Sequence, residues 1–136
     1  MEEQEARTRF SEARVGRLAT TGGDGPHLVP IVFATEGDTL FTAVDAKPKR
    51  SRRLRRLANI ESNPAVAVLV DHYEEAWERL WWVRADGIAS VLHDETDMAR
   101  GLDLLTARYE QYRISRPAGP VIEIAIVKWT GWRADA

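Results

Sequence analysis

The stretch Gly22-Gly23-Asp24-Gly25-Pro26 constrains the fold more than any other part of the chain. It is flanked by GRLATT and HLVPIVFA, runs rich in β-branched and apolar residues, so the chain must reverse between two strands. The spacing predicts a β-hairpin with strands near 16–21 and 27–34. A second turn, Glu36-Gly37-Asp38, leads into TLFTAV, a third strand. Three consecutive hairpin-linked strands predict an antiparallel meander, because parallel strands need long crossovers.

The remaining elements read off in order. Residues 3–14 predict a short polar helix with Ala6, Phe10 and Ala13 as its apolar stripe. Pro48 suits the first turn of a second helix, expected from about 48 to 62, with Leu54, Leu57 and Ala58 on one face and Asn63-Pro64 as the stop. AVAVLVD, apolar almost throughout, predicts a fourth strand buried on both faces. Residues 72–79 are a polar connection, and LWWVRADGIASVL is a long fifth strand with Gly87 at a bend or bulge. HDETDMARGLDLLTARYEQY predicts a helix capped by Asp94 or Thr96, with Leu102, Leu105 and Tyr109 inward. A loop holding Pro117, Gly119 and Pro120 returns to VIEIAIVKWTGW, the last strand. The expectation is a single mainly β domain over residues 1–136: six antiparallel strands in a closed or partly closed barrel, with helices packed outside.

Composition narrows the function. The 136 residues include no cysteine, which excludes disulfides and thiolate metal sites. No run approaches the roughly 18 apolar residues of a membrane span, and the charged N-terminus has no apolar signal core. A soluble, cytoplasmic protein is expected. Lys47 to Arg56 holds seven basic residues and no acidic one, while the rest of the chain carries 12 basic against 21 acidic residues. One positive spot on an acidic body favours a compact anionic ligand over a nucleic acid, which calls for a broad basic face.

The constellations of hydrolytic and metal chemistry are missing. His27, His72 and His93 are scattered without ligand spacing, and read as surface or strand-end residues. TTGGDG lies between two strands and lacks the lysine and helix of a phosphate-binding loop. Glu74-Glu75 and Asp94-Glu95 read as solvated charges. What remains is chemistry carried by a bound cofactor, with the protein supplying anchorage and orientation. VDAKPKRSRR leaves a strand and enters a helix, so Lys47, Lys49 and Arg50 can converge with free helix N–H groups on one anion, and Ser51 or Thr42 can add a hydroxyl. Arg55 and Arg56 read as a solvated helix face. Trp81 and Trp82 are adjacent on a strand, so one ring faces the barrel and the other faces out, toward a partner subunit or a flat ligand.

VGRLATTGGDGPHLVPIVFATEGDTLFTAVDAKPKRSRRLRRLANIESNPAVAVLV resembles the pyridoxamine 5′-phosphate oxidase-like split β-barrel superfamily. The likeness runs through GRLATT, the second-strand GPHLVPIVF, and LFTAVDAK entering a basic helix ended by Asn63-Pro64; WWVRADGIASVL and the last strand follow in order. The lysine-bearing junction and KWTGW are similar to the coenzyme F420-dependent branch, the B group of flavin/deazaflavin oxidoreductases. FMN-dependent members carry an arginine on strand two that holds the phosphate. Here the matching stretch, Pro26 to Ile31, has no lysine or arginine.

The resemblance implies an FMN-binding-like split barrel and a homodimer with its cofactor at the subunit interface. It implies that Val29, Pro30, Ile31 and Val32 lie along the deazaflavin ring. Thr42, Lys47, Lys49, Arg50 and Arg52 or Arg53 would hold its phosphate and anionic tail. Trp77, or one of Trp81 and Trp82, would line the pocket from the second subunit. The implied reaction is hydride transfer between reduced F420 and an electrophile such as an activated alkene, an imine or a tetrapyrrole, with bulk water or Arg84 as proton source. An FMN-binding oxidoreductase is the alternative, and a nucleic-acid module using the basic helix is the third reading. Nothing among the scattered histidines selects for haem.

Overall fold

The computed structural model describes residues 1–44 and 51–135, the side chains of residues 51–54 excepted. Helix α1 (Glu3–Glu12) precedes the hairpin of β1 (Gly16–Gly22) and β2 (Gly25–Ile31). A second hairpin follows, β3 (Ala34–Glu36) and β4 (Thr39–Ala43), and then α2 (Ser51–Ser62). Strand β5 (Ala65–His72), a 3₁₀ turn at Trp77–Arg79 and β6 (Trp81–Leu92) lead to α3 (Glu95–Arg108), α4 (Glu110–Ile114) and β7 (Val121–Arg133). All seven strands join one antiparallel sheet in the order β2-β1-β5-β6-β7-β4-β3.

The sheet has one strand more than the six expected, and its start is not a three-strand meander. The run read as one strand over 27–34 breaks at Val32-Phe33. Upstream it pairs with β1; downstream it forms a new hairpin at the opposite edge of the sheet. Only two residues separate these edges in sequence, a span of roughly 11 Å at most. The sheet must therefore curl until its ends approach, which gives the mainly β, barrel-like architecture without a ladder closing β2 onto β3.

Proline placement follows from the hairpin. Pairing closes on Gly22 and Gly25, with Gly25 at a φ of 101° that a side chain would resist. Hydrogen-bonded pairs alternate from there, so Pro26 and Pro30 fall at positions whose nitrogen faces away from β1. Their missing N–H costs the ladder nothing, and prolines on an edge discourage further strand addition.

The Val32-Phe33 crossing is pinned by the end of α3. The Tyr109 hydroxyl accepts from the Phe33 N–H at 3.1 Å and lies 2.8 Å from the Phe33 carbonyl and 3.0 Å from that of Arg14. Arg108 donates to the Phe33 carbonyl at 2.9 Å and also to that of Ala13. Phe10, Leu18, Phe33, Leu40, Val68, Val70, Val83, Ile122 and Ile124 fill the inside of the sheet. A second cluster, Phe41, Leu102, Leu105, Tyr109 and Val121, seats α3 on the outside of β4. Gly101 is needed there, since a Cβ would sit 2.6 Å from the Phe41 ring. Asp94 caps α3, accepting from the Thr96 and Asp97 N–H groups.

Two expectations are corrected. Strand β5 is buried on one face only: Val66, Val68 and Val70 point in, while Ala65, Leu69 and Asp71 lie exposed. Its outer face has no cover among the described residues. On α2, Ala58 is exposed, and the inward positions are Leu57, Asn59 and Ile60. The phase shifts because Asn59 donates to Thr20 at 3.1 Å, turning a polar side chain toward the sheet. The expected irregularity at Gly87 is present: the β6–β7 register shifts by one residue between Asp86 and Gly87. A Cβ on Gly87 would stand 2.6 Å from the Ala125 carbonyl oxygen.

Candidate functional site

Strand alternation decides what the outer face carries. Trp82, Arg84 and Asp86 of β6 point outward, because Val83 and Ala85 between them are buried. Their partners across the ladder, Trp132 to Trp82 and Thr130 to Arg84, share that face, as do Leu69 and Asp71 of β5. The rings of Trp82 and Trp132 are thus direct cross-strand neighbours. With Tyr73, Leu80, Trp81 and His72 they line an open cleft of about 360 Å³, mostly apolar. Arg84 lies over the Trp82 ring, its Cζ 5.9 Å from the centroid, and is held there by Asp86 at 3.2 Å.

A second cleft of about 380 Å³, mostly polar, adjoins the first and shares His72, Leu80 and Trp81 with it. The His72 ring is stacked on Trp81 with 6.2 Å between centroids, and its Nε2 lies 2.6 Å from a Glu74 carboxylate oxygen. Arg9 and Arg133 also line this cleft, and each reaches the Glu5 carboxylate through Nε, at 2.9 and 3.3 Å. Those two guanidiniums, Arg9 foremost, hold the Glu5 carboxyl below its usual range. Arg9 also stacks over Trp81 at 5.0 Å.

The expected site residues fall in several places. Val29 and Ile31 face the interior of the sheet, and Pro30 faces out, on the row that continues through Arg17, Leu69, Arg84 and Thr130. The edge strand and the aromatic cleft therefore share one face, separated by β1 alone. The Val32 carbonyl accepts from the Thr42 hydroxyl at 2.8 Å, and Thr42 is 1% exposed, so this hydroxyl is engaged inside the fold. Lys47, Lys49 and Arg50 lie outside the described residues; Ser51 and Arg52 belong to the first turn of α2. Farther along, Arg55 is committed to the β1–β2 turn through Asp24 at 2.9 Å. Trp77 is exposed on the 3₁₀ turn, donating to Tyr73 at 3.3 Å, and Trp82 stands in the cleft. Trp129 faces inward under α1, against Phe10 and hydrogen-bonded to Asp38.

Sequence reasoning missed Leu69, Tyr73, His72 and Trp132 as members of one cleft. The usable signal was the doubled tryptophan of β6 facing the Trp129-Thr130-Gly131-Trp132 run, but its reading needs the register shift at Gly87. Among the described residues no group of His, Asp and Glu is placed to hold a metal ion, and no helix is long and apolar enough to cross a membrane.

The profile of the family described as pyridoxamine 5′-phosphate oxidase matches residues 2–133. No curated protein matches the chain significantly. Among solved structures, a FAD-binding protein from Mesorhizobium loti is 22% identical with a TM-score of 0.74, over 96% of this chain and 94% of that one. A conserved hypothetical protein from Mycobacterium tuberculosis is 21% identical with a TM-score of 0.77, over 98% and 85%. The FAD binding protein from Mycobacterium smegmatis is 19% identical with a TM-score of 0.67, over 98% and 97%. At these identities the likeness is one of fold.

Proposed function

Starting from the fact that this chain belongs to the pyridoxamine 5′-phosphate oxidase family, we propose that it is an oxidoreductase that binds coenzyme F420 at the interface of a homodimer. The observation that carries the reading is the uncovered aromatic cleft of Leu69, Trp82 and Trp132, on the same sheet face as the edge strand β2. The residues present fit a flat heterocycle. Alternation leaves the Leu28 N–H and the Leu28 and Pro30 carbonyls pointing off the edge, donors and acceptors for a ring's polar rim. Indole faces offer the complementary stacking surface. The bound group supplies the hydride chemistry; the chain's residues orient it and exclude water.

The division of labour follows from charge. The β2 stretch has no lysine or arginine to meet a phosphate, whereas seven basic residues crowd Lys47 to Arg56. Lys47, Lys49, Arg50 and Arg52 would hold an extended anionic tail better than a single compact phosphate. A second copy laid on the outer face covers Leu28, Ile88, Val127 and Trp132, all exposed in the monomer, and brings its cleft over β2. The second reading is a flavin, FMN or FAD, favoured by the names of two of the similar structures.

Titration of the purified protein with F420, FMN and FAD, followed by tryptophan fluorescence, tests this. Quenching by F420 alone supports the proposal. Binding of FMN or FAD without a response to F420 reverses the two readings, and silence toward all three overturns both.

A further inference from the structure

The aromatic and the polar cleft meet along one boundary, His72, Leu80 and Trp81. On one side stand the Trp82 and Trp132 rings, on the other the arginines of α1 and the end of β7. Both Arg9 and Arg133 engage Glu5 through Nε, and their terminal amino groups make no other hydrogen bond among the described residues. Two guanidiniums that line the cleft thus share one carboxylate and keep terminal donors without a protein partner among the described residues. Glu74 is engaged by His72 at 2.6 Å and has Arg79 at 3.8 Å. Glu78, also in the lining, has no ion pair among the described residues and confronts whatever enters.

From this arrangement we infer that the joined clefts bind a planar conjugated monoanion, its ring system along His72, Leu80 and Trp81 at the edge of the cofactor cleft and its single negative group on Arg9 and Arg133. The boundary explains the amphipathic choice. Apolar surface ends at Leu80 and Trp81, where the arginine donors begin, so a ligand long enough to cross it satisfies both halves. Glu78 explains the single charge, since a second anionic group would approach an uncompensated carboxylate. This deepens the reading of the protein as an oxidoreductase: it names the class of its substrate, and rests on that reading for its redox meaning but not for the binding itself.

Calorimetric titration of the full chain, without added cofactor, compares 2-naphthoate, 2-naphthamide and 2,6-naphthalenedicarboxylate. The expected result is naphthoate about tenfold tighter than the amide, the size of a charge-assisted bond at a partly solvated site. Arg133→Gln should remove that preference, and Glu78→Gln should improve the dicarboxylate relative to naphthoate. Should Arg133→Gln lose its fold, Arg9→Gln and the surface variant Glu78→Gln carry the test. Equal affinity for acid and amide, no binding by any probe, or a preference untouched by the arginine variants and by Glu78→Gln overturns the inference. Failure here with F420 or flavin binding intact refutes the substrate class and leaves the oxidoreductase reading standing; the converse refutes only the cofactor.

Discussion

At the scale of single residues, one hydroxyl decides how the chain turns from one edge of the sheet to the other. Tyr109 meets both polar groups of Phe33 and the Arg14 carbonyl, with Arg108 reinforcing the same point. Burial lowers the affinity of the Arg108 guanidinium for its proton, yet carbonyl partners on two segments keep its donors satisfied. Removing the hydroxyl by Tyr109→Phe leaves a buried N–H and a carbonyl short of a partner. The expected loss is about 1–3 kcal/mol, read as a lower urea midpoint at unchanged slope. Helical spacing was enough to place Tyr109 inward. Its partner lies 76 residues earlier, and no local pattern could reveal that.

Among elements, α1 is fastened to the rest of the molecule chiefly by charge and aromatic contact. Asp38, on the β3–β4 turn, takes Arg7 at 2.5 Å and the Trp129 N–H at 3.1 Å, and the Arg7 guanidinium, then that N–H, holds its carboxyl below the ordinary range. A carboxyl depressed in the folded state stabilises above its unfolded pKa, and that contribution disappears as pH falls through the folded value. Thermal denaturation should therefore show wild type ahead of Asp38→Asn at neutral pH, with the two converging well below pH 4, about the ordinary aspartate value. A gap that persists at low pH would assign the effect to packing. Helices α1 and α3 and the long strands were legible from periodicity and caps. The face of α2 was not, because a buried Asn59–Thr20 bond overrides the hydrophobic count, and β5 read as doubly buried because its outward residues Ala65, Ala67 and Leu69 are apolar as well.

Considered whole, the described residues leave Leu28, Leu69, Ile88, Val127 and Trp132 exposed on the outer sheet face, interspersed with the Arg17–Asp71 and Arg84–Asp86 pairs, and the dimer proposed above would cover them. Ile88 sits on that face between Ala65 and Ala125, 47% exposed. Ile88→Asp should convert a dimer to a monomer in sedimentation velocity, while the unfolding free energy of the isolated subunit moves by only about 0.5 kcal/mol, as surface changes do. A wild-type protein that sediments as a monomer at all concentrations refutes the dimer. Sequence patterns conveyed a mainly β barrel and an ordering of strands. They did not convey which edges meet, because a strand broken at Val32-Phe33 looks continuous to a two-residue period. The candidate cleft was half visible, through its tryptophans, and half hidden in the pairing of β6 with β7.

Strand β7, seventh in chain order, lies between β6 and β4. The β3–β4 hairpin, nearly eighty residues earlier in the chain, packs under α3 but pairs with no other strand of the sheet, so β7 alone ties it into the ladder. Closing the described sheet consequently depends on one pairing of high sequence separation, with β7 as the keystone between its two halves.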